Sequence, residues 1–412
     1  MAAFQIMNHT MKTCQKLFAL GILFFALPVL GQGMPPIVQA AKDANWAKLS
    51  SLLSTQSDAQ DVYGDGTSAL HWASYHDNVQ AAIELIDEGG DVNSVTDLGV
   101  TPLWLAADNG SAAMVDALLE SGANPNLNLL SGETLVMTAA HSGNAALVRS
   151  LLAAGASPQG EVTRNQTALI FAARAGSLES ARLLVAAGSD VNGLSAFGTS
   201  PAIMAIHGGN IELLGFLLES GADVESSASG HTALHAAILR GSPEAVELLL
   251  DHGADIEAIL EKPTPARRQS ADYSFHDSLI GATPLWLAAR FTEPKLMTLL
   301  LERGADPLFV NNVTYPTLKG MQPVIAEEGE ISVLMAAVGM GYRRLRMSWG
   351  SVERRAGIQG NVLEARILEA AEIAVWAGVD SNIQDAVGMA ARDFARSRRY
   401  DEVVAFLDIV GR

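Results

Sequence analysis

Cysteine and positive charge are both scarce in this sequence. The single cysteine, Cys14, excludes a disulfide within the chain and leaves the sequence beyond it without a thiol nucleophile. The 412 residues carry 27 Lys and Arg against 45 Asp and Glu, which gives a formal net charge of −18. Nucleic acids are bound through clustered Lys and Arg, so this charge balance argues against a nucleic-acid partner.

Motifs for catalysis and for cofactor binding are also missing. The chain has no HExxH, no glycine-rich phosphate loop and no G-x-S-x-G. Those patterns would supply zinc ligands, a phosphate cradle and an exposed serine nucleophile, respectively. We therefore expect a non-catalytic protein with no cofactor and no metal.

An apolar run lies near the N-terminus. Lys12 and Lys16 precede fourteen uncharged residues, 17–30, and small residues follow. This layout is typical of a secretory signal peptide, and fourteen residues are too few to cross a bilayer core of about 30 Å as a helix. We expect a cleaved leader over residues 1–33 and a bacterial-type export to the periplasm or beyond, with no membrane insertion after cleavage. The alternative is an uncleaved membrane anchor, and the true translation start is open among Met1, Met7 and Met11.

A repeat fills most of the remaining chain. Residues 99–126, GVTPLWLAADNGSAAMVDALLESGANPN, predict two short helices, because Thr101 can cap the first helix and Gly110 and Gly122 can end the two. A helix pair this short cannot bury its own apolar face, so it needs copies on both sides. Equivalent starts recur at a nearly constant spacing, at Ser68, Thr101, Thr134, Thr167, Ser200 and Thr232.

The period of about 33 residues and the T-P-L-H-x-A pattern resemble the ankyrin repeat over roughly residues 35–407. The resemblance implies an all-α ankyrin-repeat solenoid of helix-turn-helix units with β-hairpin-like finger loops, used for non-catalytic binding of a protein or peptide. It also implies that His71 and His235 hydrogen-bond the neighbouring finger backbone and hold the stack together. Trp104 and Trp286 fill the same position of the pattern and are expected to be core.

Later repeats are spaced more widely. Starts at Thr283, Ser332 and Ala390 each follow the preceding start by clearly more than one repeat length, which predicts one insert in each step. The first two inserts fall in fingers, and the third falls between the two helices of its own unit. The predicted organisation is a leader at 1–33, a capping repeat at 34–62, six regular repeats at 63–260, and repeats with inserts (261–280, 313–330, 343–360) plus a C-terminal capping repeat at 261–412.

One row of side chains is the main candidate for partner contact. The two positions after each Ala-Ala pair end the inner helix, and the resemblance implies that they face a concave groove. The row contains Tyr75, His76, Asp108, Asn109, His141, Arg174, His207, Arg240, Arg290 and Phe291. Its basic or titratable character predicts an acidic protein or peptide segment as ligand, with arginines as bidentate partners and Tyr75 and Phe291 as apolar anchors.

The alternative is that these side chains only cap helix C-termini, where cations are favoured. A metal shared by the row's histidines is not expected. His76, His141 and His207 recur on alternate units, about 16–20 Å apart at a helix spacing of about 8–10 Å, whereas zinc needs ligands at about 2.0–2.1 Å.

The inserts add two further contact candidates. Tyr273 lies near His276 and Asp277 in the first insert, a weak sign of acid–base chemistry for which a contact finger or a packed loop is the alternative. Trp349 lies among arginines in the third insert, a composition typical of interfaces. Two other functions stay open: a secreted effector or toxin-neutralising binding protein, and an enzyme with His276, Asp277 and Arg290 as its site.

Overall fold

The computed structural model describes residues 33–55, 57–159, 166–262, 275, 279–312, 330–340, 361–386 and 388–412. The chain divides into two compact units, unit 1 up to Asp190 and unit 2 from Val191 to Arg412. The expected leader lies outside the described residues, except for Gly33. Most of the three inserts also lies outside them.

Unit 1 consists of helix pairs, each made of an inner and an outer helix. The inner helices pack on one another in sequence order, and the outer helices form a second layer against them. The inner helices are α1 (Pro36–Lys42), α3 (Ala69–Tyr75), α5 (Pro102–Asn109), α7 (Leu135–Ser142) and α9 (Ala168–Ala175). The outer helices are α2 (Trp46–Leu53), α4 (Val79–Asp87), α6 (Ala112–Glu120), α8 (Ala145–Ala153) and α10 (Leu178–Ala186).

Unit 2 repeats this arrangement and adds one short β-ladder. Its inner helices are α11 (Pro201–Gly208), α13 (Ala233–Arg240), α15 (Pro284–Arg290), α17 (Val333–Ala337) and α19 (Ala391–Arg398). Its outer helices are α12 (Ile211–Glu219), α14 (Pro243–Asp251), α16 (Pro294–Glu302), α18 (Asn361–Trp376) and α20 (Asp401–Val410). Strand β1 (Val310–Asn311) pairs antiparallel with β2 (Ile331–Ser332), with Val310 opposite Ser332.

The predicted local signals do form the helix ends. Thr101 Oγ1 accepts a hydrogen bond from the Trp104 backbone N–H at 3.0 Å, which satisfies a donor that the first turn leaves unpaired. Gly110 ends α5 with φ +71°, a conformation that costs glycine little. The core lies between the two helix layers, where Leu103, Met114 and Leu118 are at most 1% exposed. The prediction of a helix pair over residues 99–126 is confirmed.

Successive fingers are joined through their backbones. In one finger the Thr96 N–H donates to Val100 O at 3.0 Å, which closes a tight turn. The Asp97 N–H reaches back to Asp65 O at 2.9 Å, and the Leu130 N–H donates to Leu98 O at 3.1 Å. Three fingers of unit 1 are therefore held in fixed register by main-chain hydrogen bonds.

A second set of bonds, the loop ladder, joins the loops that follow the outer helices. Asn93 donates through Nδ2 to Gly122 O at 3.2 Å and accepts from the Asn124 N–H at 2.7 Å. One repeat further on, Asn126 does the same with Gly155 O and the Ser157 N–H. Each such amide therefore satisfies two backbone groups of the next repeat.

The first two inserts enter at finger turns. Leu260 and Ala282 make the backbone bond that Thr96 and Val100 make in a regular finger, but the whole first insert lies between them where the regular pair encloses only a tight turn. The β1–β2 ladder closes the second insert in the same way. The third insert falls between α17 and α18, and residues 341–360 lie outside the described part of the chain.

Candidate functional site

Two buried histidines connect neighbouring repeats. His71 Nε2 donates to Val100 O at 3.0 Å while its Nδ1 accepts from the Ser68 backbone N–H at 3.1 Å. His235 does the same with Ala258 O at 3.0 Å and the Thr232 N–H at 3.1 Å. Burial lowers the pKa of both imidazoles to about 4, so both are neutral at pH 7. The prediction that these two histidines hydrogen-bond the neighbouring finger backbone is confirmed.

Two repeats have tryptophan at the histidine position, and the two indoles differ in their hydrogen bonding. Trp286 is 1% exposed, and its indole N–H donates to Ile331 O at 2.9 Å, so it connects its repeat to the next across the second insert. Trp104 is 7% exposed, and its indole N–H has no hydrogen-bond partner in the part of the chain that the structure describes. Both are core, as predicted, but the hydrogen bond of Trp286 was not foreseen.

In unit 1 the first members of the candidate row point back to the preceding repeat. His76 Nε2 donates to Lys42 O at 3.1 Å, and its ring stacks on Trp72 with the centroids 6.1 Å apart. Asn109 Nδ2 donates to Ser74 O at 3.1 Å and to Tyr75 O at 3.0 Å. His76 and Asn109 therefore cap the C-terminal ends of α1 and α3. Tyr75 is half-buried, with its ring 5.2 Å from that of His76.

The rest of the row in unit 1 carries little permanent positive charge. His141 is half-buried with its ring centroid 5.2 Å from that of Phe171, and burial, followed by the charge of Arg174, lowers its pKa. The imidazole is therefore neutral at pH 7. Arg174 itself is exposed, and Asp108 is half-buried.

The row in unit 2 is more enclosed. Burial, followed by the charge of Arg240, lowers the pKa of His207 to about 4, so His207 is also neutral at pH 7. Arg240 Nη1 donates to His207 O at 2.9 Å and thereby caps α11. Arg290 is half-buried at the end of α15. Phe291 is 5% exposed and belongs to the core, so the prediction of an apolar anchor for a ligand at this residue is wrong.

The insert candidates Tyr273, His276, Asp277 and Trp349 lie outside the described residues. The described residue of the first insert nearest to them is Phe275, which is 1% exposed. Its ring centroid lies 5.1 Å from that of His231 and 6.3 Å from that of His235. Phe275 therefore packs against the N-terminal end of α13.

Sequence reasoning missed a set of exposed apolar residues on the fingers of unit 1. We call this set, Val62, Val95, Leu98 and Leu130, the finger patch; its members are 49%, 48%, 45% and 75% exposed. They lie on the three fingers that the backbone bonds join. The signal was present in the sequence, because large aliphatic residues stand in turns that otherwise contain Gly, Asp and Ser.

Two classes of site find no support among the described residues. No group of three or more His, Cys, Asp or Glu side chains in these ranges is placed to hold a metal ion. Over the same ranges, none of the helices combines the length and the apolar character that a membrane span requires.

Stacked helix pairs with buried connecting histidines and hydrogen-bonded fingers define a class, the repeat proteins in which each unit contacts only its neighbours. Family models for ankyrin repeats match residues 37–129, 123–195 and 187–259, and a single-repeat model matches residues 280–312. The chain belongs to the ankyrin repeat family, and the predicted fold class is confirmed.

Among solved structures, the chain is similar to the crystal structure of the human ASB11 ankyrin repeat domain. The two sequences are 20% identical, the match covers 67% of this chain and 98% of that chain, and the TM-score is 0.47. No curated protein matches the sequence.

Proposed function

We propose that this protein is a non-catalytic interaction module that binds a protein or peptide segment through the finger patch, with a further contact at Arg174 at the C-terminal end of the inner helix α9 of unit 1. Ankyrin repeats are generally protein–protein interaction modules. The proposal is more specific, because it names a surface and the chemistry of its ligand. The ligand segment would place apolar side chains on the finger patch.

The observation that supports this surface most directly is the exposure of four large aliphatic side chains on three fingers in fixed register. Single exposed apolar residues are common, whereas a set on neighbouring elements marks an interaction surface. The backbone bonds between the fingers hold the set in place before a ligand arrives. A preorganised surface loses less conformational entropy on binding, which raises affinity.

Since His141 and His207 are uncharged, the expectation of an acidic ligand is supported only by the arginines of the row. His141 and His207 are neutral at pH 7, and Arg240 is already engaged with a helix end. Arg174 is the exposed cation of the row in unit 1, and a guanidinium can bind a carboxylate through two parallel hydrogen bonds. We propose that an acidic side chain of the ligand pairs with Arg174.

Affinity capture from an envelope extract, with quantitative mass spectrometry, tests the surface. The double variant L98S/L130S should capture the partner at least about tenfold less than the unsubstituted protein, the usual effect of removing central apolar contacts. The matched control is I83S/V362S, which removes two exposed aliphatic side chains, 39% and 56% exposed, that lie on outer helices. Equal loss in both variants, or no loss in either, would reject the finger patch as the binding surface.

We further propose that the mature protein lies in the bacterial periplasm, because the N-terminal region, 1–33, has the layout of a cleaved leader. The alternative, a secreted effector or toxin-neutralising protein, uses the same binding surface on a different partner. Fractionation of cells followed by N-terminal sequencing separates the two. Mature protein in the culture medium, and not in the periplasmic extract, would favour the secreted function.

A further inference from the structure

The outer helices have a regular position at their C-terminal ends, two residues before the glycine that follows each helix. Across the repeats from α4 to α16 it is occupied by acidic residues or alanine: Asp87, Glu120, Ala153, Ala186, Glu219, Asp251 and Glu302. In the last two repeats the same position holds Trp376 and Ile409, which stand one repeat length apart. The change from acidic or small residues to large apolar ones is confined to the end of the described repeats.

These two side chains are far from buried. Trp376 and Ile409 are each 73% exposed, and the neighbouring Val410 is 37% exposed. Helices α18 and α20 pack side by side, and Asn382 Nδ2 in the loop after α18 donates to Gly411 O, directly after α20, at 3.4 Å. We call the set of Trp376, Ile409 and Val410 the cap patch. The matching position is exposed in the other repeats and holds acidic residues or alanine there, so a tryptophan and an isoleucine at it work against solubility.

Acidic residues outnumber basic ones on the two helices that carry the cap patch. Helices α18 and α20 contain six acidic residues and one arginine, Arg366, which pairs with Glu293 at 3.1 Å. Basic residues also lie close to the patch or its acidic neighbour: Arg412 follows Val410 by two residues, and Asp408 pairs with Arg392 and Arg396 at 3.6 Å. Exposed acidic residues still outnumber them, with Asp380 four residues after Trp376, Glu369 two helical turns before it, and Glu402 in the first turn of α20.

This charge decides between possible occupants. Two copies of the chain docking through their cap patches would bring the acidic helices of each copy together, and like charges across an interface are unfavourable. A segment with lysine or arginine beside large apolar side chains would instead match both features of the surface. We propose that the cap patch binds a cationic amphipathic segment of another protein, at a site separate from the finger patch.

Peptide titration tests this proposal on the full-length protein. The probe is an 18-residue synthetic helix of Lys and Leu carrying a fluorescent label, read by fluorescence anisotropy, and a Glu and Leu helix serves as the comparison peptide. The variant W376E/I409E returns the cap patch to the residue type found in other repeats and should bind the Lys peptide at least about tenfold more weakly, the usual effect of losing a buried aromatic contact. The Glu peptide should bind the unsubstituted protein more weakly than the Lys peptide by a similar factor.

The matched control is A153E/A186E, which creates the same residue at the same helix position in unit 1 with the same change of charge. It should bind the Lys peptide within about twofold of the unsubstituted protein. A second variant, E369K/E402K, leaves the apolar side chains in place and should also weaken binding of the Lys peptide, because it removes the complementary charge. It keeps the test valid if W376E/I409E fails to fold.

Three outcomes would overturn the proposal. The first is equal binding of the Lys peptide by W376E/I409E and A153E/A186E. The second is a dimer in sedimentation that W376E/I409E dissociates, which would make a second copy the occupant. The third is tighter peptide binding after replacement of the arginine-rich segment 343–360 by a short linker, which would make this chain's own insert the occupant. None of these results bears on the finger patch, so this proposal and the proposed function can fail independently.

Discussion

Unit 1 and unit 2 use the same repeat but connect neighbouring repeats with different chemistry. In unit 1 the loop ladder is built from amides, Gln60, Asn93, Asn126 and Gln159, each of which donates to the carbonyl of a glycine in the next repeat. Unit 2 begins in the same way with Asn192, which donates to Gly221 O at 3.1 Å. Carboxylates then replace the amides at Glu225 and Glu257, and an amide returns at Asn382, which donates to Gly411 O at 3.4 Å.

The replacement keeps one hydrogen bond and loses the other. Glu225 accepts from the Asp255 N–H, and Glu257 accepts from the Asp306 N–H, both at 2.7 Å. An ionised carboxylate cannot donate, so it cannot satisfy the glycine carbonyl of the next repeat as an amide does. Burial, followed by the charges of Asp306 and Asp255, raises the pKa of Glu257, while the bond from the Asp306 N–H opposes the shift. The two carboxylate steps of the ladder in unit 2 are therefore weaker at neutral pH.

Lowering the pH should destabilise unit 2 more than unit 1, and this difference should be larger than the effect of any single substitution. Unit 2 contains three histidines with strongly lowered pKa values, His207 and His235 at about 4 and His231 at about 3. Unit 1 contains His71 at about 4, and burial also lowers the pKa of His141 in α7. Each is neutral when folded and has an ordinary pKa near 6.5 when unfolded. The unfolded state therefore binds more protons, and stability present above pH 6.5 is lost as the pH falls toward 4.

For one fully buried histidine such as His235, the loss at pH 5 is roughly 2 kcal/mol. Opening free energies from amide exchange, measured at pH 7 and pH 5, should therefore fall several kcal/mol further in α13 than in α3. The variant His231→Gln should reduce this difference, because it removes one of the groups that titrate. An equal loss of protection in both units would contradict the assignment of acid sensitivity to unit 2.

The second largest effect concerns the tryptophans at the histidine position. Trp286→Phe keeps a ring in the core but removes the indole N–H that donates to Ile331 O, in a residue only 4% exposed. The lost hydrogen bond costs about 0.5–1.5 kcal/mol and the smaller ring loses packing volume as well, so we expect unit 2 to lose about 1–3 kcal/mol of unfolding free energy. The matched substitution in unit 1 is Trp104→Phe, because that indole N–H makes no hydrogen bond within the described residues.

Denaturant unfolding of the two variants, followed by amide exchange in α15 and α5, compares them directly. Trp104→Phe should cost clearly less than Trp286→Phe, since only packing volume is lost. If the two variants lost the same free energy, the bond to Ile331 O would contribute nothing to stability.

Most of the fold could be predicted because its signals are local. Thr101 and Gly110 directly flank α5 and set its two ends, and the apolar residues that form its buried face lie within the helix itself. The connecting role of His71 could be predicted because the repeat pattern fixes which residue faces the next finger. The same regularity made the core positions of Trp104 and Trp286 predictable.

The candidate site could be predicted less well because long polar side chains form hydrogen bonds with groups outside their own repeat. His76 and Arg240 hydrogen-bond carbonyls at the helix end of the preceding repeat, and the repeat pattern does not specify those partners. Phe291 stands one residue past the end of α15, where the helix pattern does not determine burial. The low pKa of His207 follows from burial, which composition does not reveal.

Exchanging carboxylate for amide in the loop ladder of unit 2, and amide for carboxylate in that of unit 1, should change the unfolding free energy by smaller amounts of opposite sign. Glu257→Gln keeps an acceptor for the Asp306 N–H, adds a donor for the glycine carbonyl, and removes repulsion with Asp306. We expect it to stabilise unit 2 by about 0.5–1.5 kcal/mol at pH 7, the net value of one hydrogen bond. Asn93→Asp removes the donor to Gly122 O and should destabilise unit 1 by a similar amount.

The pH dependence of the Glu257 effect gives a further check. The folded pKa of Glu257 is raised, so its ionised form is disfavoured in the native state and stability is gained as the pH falls through that pKa. The advantage of Glu257→Gln over the unsubstituted protein should therefore shrink on acidification. An advantage that stayed constant with pH would show that the carboxylate charge is not the cause.

The smallest expected effects on stability come from the most exposed aliphatic residues, and they separate folding from binding. Leu130 in unit 1 is 75% exposed and Leu308 in unit 2 is 61% exposed, so Leu130→Ser and Leu308→Ser should each change the unfolding free energy by less than about 0.5 kcal/mol. Leu130 belongs to the finger patch, whereas Leu308 lies in the loop after α16. Only Leu130→Ser should weaken partner capture, since its side chain meets water in the free protein and a ligand in the complex. Equal capture by the two variants, at equal stability, would mean that exposure on a finger does not distinguish a binding residue from any other exposed leucine.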